Sequence, residues 1–333
     1  MANNFSHGYA LLIGVGQSAY ANWSLPVSVK DIQSLKAILV DSNLCAYLDN
    51  DQHIRLLHDQ GATRQAILGG LKWLRIQVTS DPEATAIIYY SGHGWLDKAR
   101  NHYYLVQHDI KPFDLAGSAL SAVEFTQELA KIQAKRMLVV IDSCHAQGMV
   151  SAKDGKATLE LPKGFEPSVP SKDLFDPLIR GEGRAVFTSC RGIQQSWIRK
   201  DNSMSIYTHH LVEALQGAAS QLGDTMIKVS DLMKHLGRTV PESAYSEYQV
   251  EQVPWFSCET EDFPIALLRG GKGLPKGGWE AVESKASEQR QALFQAVGDR
   301  SVVVSGSVSG TVITGDGNLS ISNTRDVSMN QEK

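Results

Sequence analysis

The sequence predicts an α/β protein whose mainly parallel sheet is covered by helices on both faces. Two observations lead there. Several short apolar runs are continuous rather than alternating, among them YALLIGV (9–15), ATAIIYYSG (84–92) and KRMLVVIDS (135–143). A strand buried on both faces has no polar side to present. Between such runs lie stretches with apolar residues three and four apart, the period of an amphipathic helix. Strands joined through helices cross over right-handedly, which puts functional groups at the carboxyl ends of the strands.

In order along the chain, YALLIGV is the first strand and VKDIQSLKAILV (29–40) the first helix. HIRLLHD (53–59) is a second strand, followed by the helix TRQAILGGLKWLRIQV (63–78). ATAIIYYSG is the third. The helical SAVEFTQELAKIQ (121–133) leads into KRMLVVIDS, the fourth. GRAVFTSC (183–190) is the fifth, trailed by the helix YTHHLVEALQGAA (207–219), and IALLRG (265–270) is the last strand. The intervening 149–183 segment is rich in Pro, Gly, Lys and Asp without a sustained period, and reads as a long exposed loop. After residue 268 come a glycine-rich linker (270–278), a charged helical stretch (279–297) and a β-branched, Ser/Gly-rich tail (301–323). Such a tail suits a short β-arch or a strand added to a partner's sheet.

The bulk composition removes several function classes. A net charge of -4 and no Lys/Arg stripe argue against nucleic acid. No apolar span is long enough for a membrane helix, and no basic stretch precedes the apolar N-terminal run as in a signal peptide. The four cysteines, Cys45, Cys144, Cys190 and Cys258, form no CxxC pair, so a reducing, cytoplasmic location is expected.

Three stretches carry candidate chemistry. GVGQSA (14–19) fits a dinucleotide fingerprint, but Tyr20, Trp23 and Pro26 separate it from the helix whose N-terminus would have to meet the phosphates, so it is read as a turn. Metal binding by His93, Cys144, His145 and Cys190, or by the doublet His209 and His210, lacks the close ligand spacing of structural zinc sites. The doublet is read as solvated or capping, and no metal is expected. The third is a Cys/His pair. IIYYSGHGW sets His93 between two glycines after a buried strand, and LVVIDSCHAQGM (138–149) ends the next strand in Asp142, Ser143 and Cys144. Adjacent parallel strands would deliver the imidazole and the thiol to one sheet edge. There the imidazole can take the thiol proton and later protonate a leaving amine. The competing reading makes His93 a turn residue and Cys144 a packed thiol.

The paired motifs YYSGHG and VVIDSCHAQG resemble those of caspase-like cysteine peptidases, the metacaspase branch more than the true caspases. Weaker similarities (LPVSVKDIQSL, HYYLVQHD, FTSC) run through the first 268 residues. The resemblance implies an α/β/α sandwich with a roughly six-stranded, mainly parallel sheet over 1–268: a large-subunit-like part to about 150, an intersubunit loop at 151–183 and a small-subunit-like part at 184–268. The 269–333 remainder is then an interaction tail. It implies a Cys-His dyad of Cys144 and His93, with the backbone N–H groups of Gly94 and Cys144 receiving the oxyanion. Asp142, two residues before the nucleophile, projects to the same side of an extended strand as Cys144 and is placed to line the S1 pocket. By resemblance Asp31 and Ser91 join it, which predicts cleavage after Arg or Lys. The competing reading of Asp142 is a turn-forming or capping acid. Cys190 is assigned to packing or the pocket wall, and Trp197 to an apolar wall.

Cleavage after basic residues makes Lys153, Lys156, Lys163, Lys172, Arg180 and Arg184 candidate self-processing positions; a solvated loop is the plain alternative. No cofactor is required by the residues. Several metacaspases need calcium, and the resemblance leaves it open as an activator, although Asp109 alone makes no site. The expected partners are a protein or peptide substrate and a regulatory protein bound through 270–333, whose repeats are similar to those beside bacterial effector modules. A role in bacterial defence follows by analogy. The alternative is a catalytically silent caspase-like scaffold that binds its partner through that tail.

Overall fold

The computed structural model describes residues 4–111, 113–143, 163–168, 175–179, 182–192, 194–221, 223–258 and 262–269. The continuous apolar runs pair as their composition demands. β1 (Gly8–Gly14), β2 (Ile54–His58), β3 (Thr85–Gly92), β7 (Arg136–Ser143) and β9 (Arg184–Thr188) lie parallel, and β11 (Trp255–Cys258) closes one edge antiparallel to β9. The six-stranded order is β11-β9-β7-β3-β1-β2. β3 and β7 run in register to their ends, with Ser91 opposite Asp142 and Gly92 opposite Ser143.

Alternate residues of these strands feed two cores. Leu12, Tyr89 and Val140 face the layer formed by α1 (Val27–Val40), α6 (Ile206–Leu215) and α7 (Val229–Tyr248). Leu11, Ile88, Tyr90 and Ile141 face α2 (Arg64–Thr79) and α4 (Ala122–Leu129). Both faces are therefore apolar, which is why the strands read as unbroken runs. Thr63, Ser121 and Ser205 cap α2, α4 and α6 by accepting a backbone N–H bond three residues on.

Around the carboxyl end of β3 a second, smaller sheet grows. β4 (Gly94–Asp97), β5 (His102–Leu105), β6 (Leu120–Ser121) and β8 (Phe165–Pro167) pair in the order β6-β5-β4-β8. α3 (Leu115–Ser118) is a single turn ahead of β6. Trp95 of β4 packs edge-on against Trp23, with ring centroids 4.6 Å apart.

Two expectations change, and one helix has none attached to it. IALLRG does form a strand, β12 (Pro264–Leu267), but it pairs with β10 (Met226–Lys228) in a two-stranded sheet; the sixth strand of the main sheet is β11. The 149–183 segment is not an exposed loop throughout. Its residues Phe165–Pro167 extend the small sheet, while α5 (Asp176–Ile179) and the buried Phe175 pack into the second core. Apolar anchors spaced too widely for any period leave no pattern to read. That helix is α7, unmarked in the sequence reading. Gly237 and Pro241 interrupt it, yet Val229, Leu232, Leu236, Val240 and Ala244 keep one buried stripe. Among the described residues no helix is long and apolar enough to cross a membrane.

Candidate active site

The carboxyl ends of β3 and β7 form a polar edge with two unlike faces. His93 links β3 to β4 and is 4% exposed. Its carbonyl accepts the Val106 N–H at 3.0 Å, and Tyr90 Oη lies 2.8 Å from the carbonyl oxygens of both residues. The His93 ring lies 6.1 Å from that of Trp95, tilted by 30°. A Cβ added to Gly94 would fall 1.6 Å from Tyr103 Oη, so only glycine fits there. The same hydroxyl stands 2.8 Å from Ser143 Oγ. Tyr103 thereby ties the start of β4 to the last residue of β7. Ser189 Oγ donates to the Ser143 carbonyl at 3.5 Å from the β9 side. Cys144 lies outside the described residues. Its predecessor Ser143 is paired with Gly92, the predecessor of His93.

On the other face the structure brings Asp31, Ser91 and Asp142 together. All three are fully buried. Asp31 projects from α1 because Val27, Ile32, Leu35 and Ile38 bury that side of the helix. Its Oδ2 accepts the Ser91 hydroxyl at 2.8 Å and its Oδ1 the Ser205 N–H at 2.9 Å. Asp142 accepts from Ser196 Oγ at 2.7 Å, Ser205 Oγ at 2.5 Å and Thr208 Oγ1 at 3.2 Å. Tyr89 Oη bonds Thr208 Oγ1 and reaches Asp142 at 3.5 Å. Burial first, and the charge of Asp142 second, push the Asp31 carboxyl well above the ordinary carboxylate range. Hydrogen bonds from Ser205, Ser91 and Thr208 pull the other way. Burial and the two acids raise the Tyr89 phenol as well, so it stays a donor. Among the described residues no basic side chain forms an ion pair with Asp31. Neutral donors, not a counter-charge, solvate it.

Other expected residues fall outside this cluster or outside the described residues. Cys190 is fully buried with Sγ 3.2 Å from the Gln194 carbonyl. The Trp197 ring lies 4.7 Å from that of Tyr248, tilted by 31°, and its backbone N–H donates to Gln252 Oε1, so it faces the end of α7. Lys163 is exposed in a turn. Arg184, counted with the processing loop, instead opens β9 opposite Met137, with its guanidinium on the carbonyls of Gly183 and Lys135. Lys153, Lys156, Lys172 and Arg180 lie outside the described residues, as do His145 and the whole tail. His209 and His210 do not cap the helix, and His210 is buried while His209 is partly exposed. Ser205 caps α6, and His210 is 7% exposed.

The residues that sequence reasoning missed are the hydroxyls. Ser205 both caps α6 through the Thr208 N–H and donates to Asp142, while Ser196 and Gln252 close the far side. A serine before a helical period is a readable cap signal. Its second partner, 63 residues earlier in the chain, leaves no local trace.

With this geometry in view, comparison with known proteins gives one reading. The family model described as "Caspase domain" matches residues 7–264. Among solved structures, the fold is similar to protein GSU0716 from Geobacter sulfurreducens, at a TM-score of 0.50 and 16% identity. That match covers 78% of this chain and 99% of the other. It is equally similar to caspase-1 from Spodoptera frugiperda, at a TM-score of 0.50 and 13% identity over 80% of this chain and 92% of the other. At such identities the likeness is one of fold. No curated protein sequence matches.

Proposed function

Because this chain belongs to the caspase-domain family, a family of cysteine peptidases, we propose that it is an endopeptidase cleaving proteins after arginine or lysine. Cys144 is the nucleophile and His93 the base. The imidazole takes the thiol proton, the thiolate adds to the scissile carbonyl, and the same proton leaves on the departing amine. The thioester then formed is hydrolysed by water activated at His93. Backbone N–H groups of Gly94 and Cys144 meet the oxyanion. The closeness of Gly94 to Tyr103 supports this, since it fixes that peptide before substrate arrives.

The observation that carries the P1 assignment is Asp31. A buried acid that neutral donors solvate, and that no basic side chain among the described residues neutralises, suits an incoming cation. A guanidinium between Asp31 and Asp142 would replace hydroxyl contacts with charge-assisted ones. Ser91 then orients Asp31.

Self-processing at Lys153, Lys156, Lys163, Lys172 or Arg180 is part of the same proposal, supported by their exposed or aperiodic sequence setting. So are a regulatory protein partner for 270–333, a role as effector in bacterial defence, and action in the cytoplasm. A fluorogenic peptide panel varying only P1, run on wild type and Cys144→Ala with and without calcium, tests the core of it. Arg- and Lys-P1 hydrolysis lost in Cys144→Ala is expected. Cleavage of Asp-P1 alone would overturn the specificity, and cleavage of none would favour a silent scaffold.

A further inference from the structure

Away from that edge, α6 and α7 share a cluster that the peptidase chemistry leaves unused. His209 and His210 sit four and three residues before Glu213, so both rings lie on its side of α6. Across the helix pair, α7 contributes His235, 5% exposed. Each ring aims a nitrogen at the one carboxylate. His210 Nδ1 is 2.7 Å and His235 Nε2 3.0 Å from Glu213 Oε2, and His209 Nε2 is 3.7 Å from Oε1. Donor atoms of His209, His210 and Glu213 all lie within 4.8 Å of one another. In a tetrahedral site with bonds of about 2.0–2.1 Å, neighbouring donors stand about 3.3 Å apart, a length that the three His–Glu213 spacings straddle.

We propose that His209, His210, Glu213 and His235 form a binding site for one divalent transition-metal ion of the zinc class, clasping α6 to α7. Three imidazoles and one carboxylate suit zinc's preference for nitrogen and oxygen ligands and leave little for calcium, which takes six or more oxygens. One surrounding bond is of the kind that orients a metal-bound histidine, while among the described residues His235 Nδ1 is buried without a partner. His210 Nε2 meets Ser243 Oγ at 2.7 Å, so with Nδ1 on the metal the ring proton has an acceptor. Glu213 is the most exposed of the four, with its side chain 21% accessible, and marks the side from which an ion enters. One contact opposes loading. Arg199 donates to His209 Nδ1 at 3.2 Å, which keeps the ring proton on Nε2, the nitrogen nearest Glu213. Binding through Nε2 moves that proton to Nδ1 and turns Arg199 away, toward Asp201 at 3.4 Å. Arg199 is thus a competitor for the site.

The test uses the full chain carrying Cys144→Ala, which removes the reactive thiol as a rival ligand. After chelation and dialysis, zinc alone is titrated by calorimetry, and cobalt alone is followed in the visible spectrum. One equivalent is expected to bind, with tetrahedral cobalt bands and no thiolate-to-cobalt charge transfer. Glu213→Gln should weaken zinc by about tenfold or more. Arg199→Gln should tighten it severalfold, a gain that no loss of folding can imitate. No binding, a thiolate band, affinity unmoved by Glu213→Gln in a folded variant, or weaker binding in Arg199→Gln would each overturn the proposal.

Discussion

Asp142 and Ser143 are neighbours on one strand and lie in opposite surroundings. Asp142 is packed among hydroxyls with a second acid beside it, whereas Ser143 meets a tyrosine hydroxyl that also presses on Gly94. Strand alternation alone sends the two to different cores. One face accommodates charge at the cost of desolvation, and the other fixes backbone. The two should therefore fail differently when altered: the acidic face in specificity, the tyrosine face in rate for every substrate.

The largest expected effect is on the tyrosine face. Gly94→Ala drives a methyl into Tyr103 and should lower kcat/KM by about 10²-fold or more, whatever the P1 residue. Adding Tyr103→Phe to that variant should return part of the loss. On the acidic face, Asp142→Asn would remove the proposed charge-assisted contact to P1, worth about 1.5–3 kcal/mol, so Arg-P1 kcat/KM should fall by about 10²-fold with kcat the less affected parameter. Equal losses on neutral P1 peptides would erase the contrast between faces.

Asp31→Asn separates function from stability. The fold raises this carboxyl, so the folded chain holds its proton to a higher pH than the unfolded chain does. The stability it confers is complete below the unfolded value and is lost as pH rises toward the folded one. Asparagine escapes that loss. Its Tm near neutral pH should rise by about 2–4 °C, roughly 1 kcal/mol, while Arg-P1 cleavage falls by about tenfold. In wild type, KM for Arg-P1 peptides should climb as pH drops through the raised value and protonates Asp31; a flat KM across that range would remove Asp31 from the pocket. Ser205→Ala loses a cap and a bond to Asp142 together and should destabilise by about 1–2 kcal/mol in urea. Smallest of all, Tyr103→Phe alone should cost about 1 kcal/mol of stability and a modest part of kcat.

Strands buried on both faces announce themselves, because nothing polar interrupts Leu11 to Ile13 or Val139 to Ile141. The placement of Ser91, His93, Asp142 and Ser143 at strand ends was legible for the same reason. What stayed hidden depends on partners far along the chain. β8 has three residues and no period, β11 is short and half-buried, and α7 carries a glycine and a proline. The histidine doublet shows the limit most plainly. Judged against each other the two rings diverge, but judged against Glu213 they converge, and His235 arrives from another helix.

The carboxylates and most of their solvating groups come from different stretches of the polypeptide. Asp31, Ser91 and Asp142 precede residue 144, while Ser196, Ser205 and Thr208 follow residue 183. The β7–β9 ladder joins these stretches without a covalent bond at that point. Were the backbone severed between them, the two acids would keep the donors Ser196, Ser205 and Thr208 only through mutual assembly of the fragments. Neither fragment holds the whole buried cluster, so fragments of this chain expressed apart should behave as a complementation pair, with hydrolysis of an Arg-P1 peptide as the proposed signal that they have met.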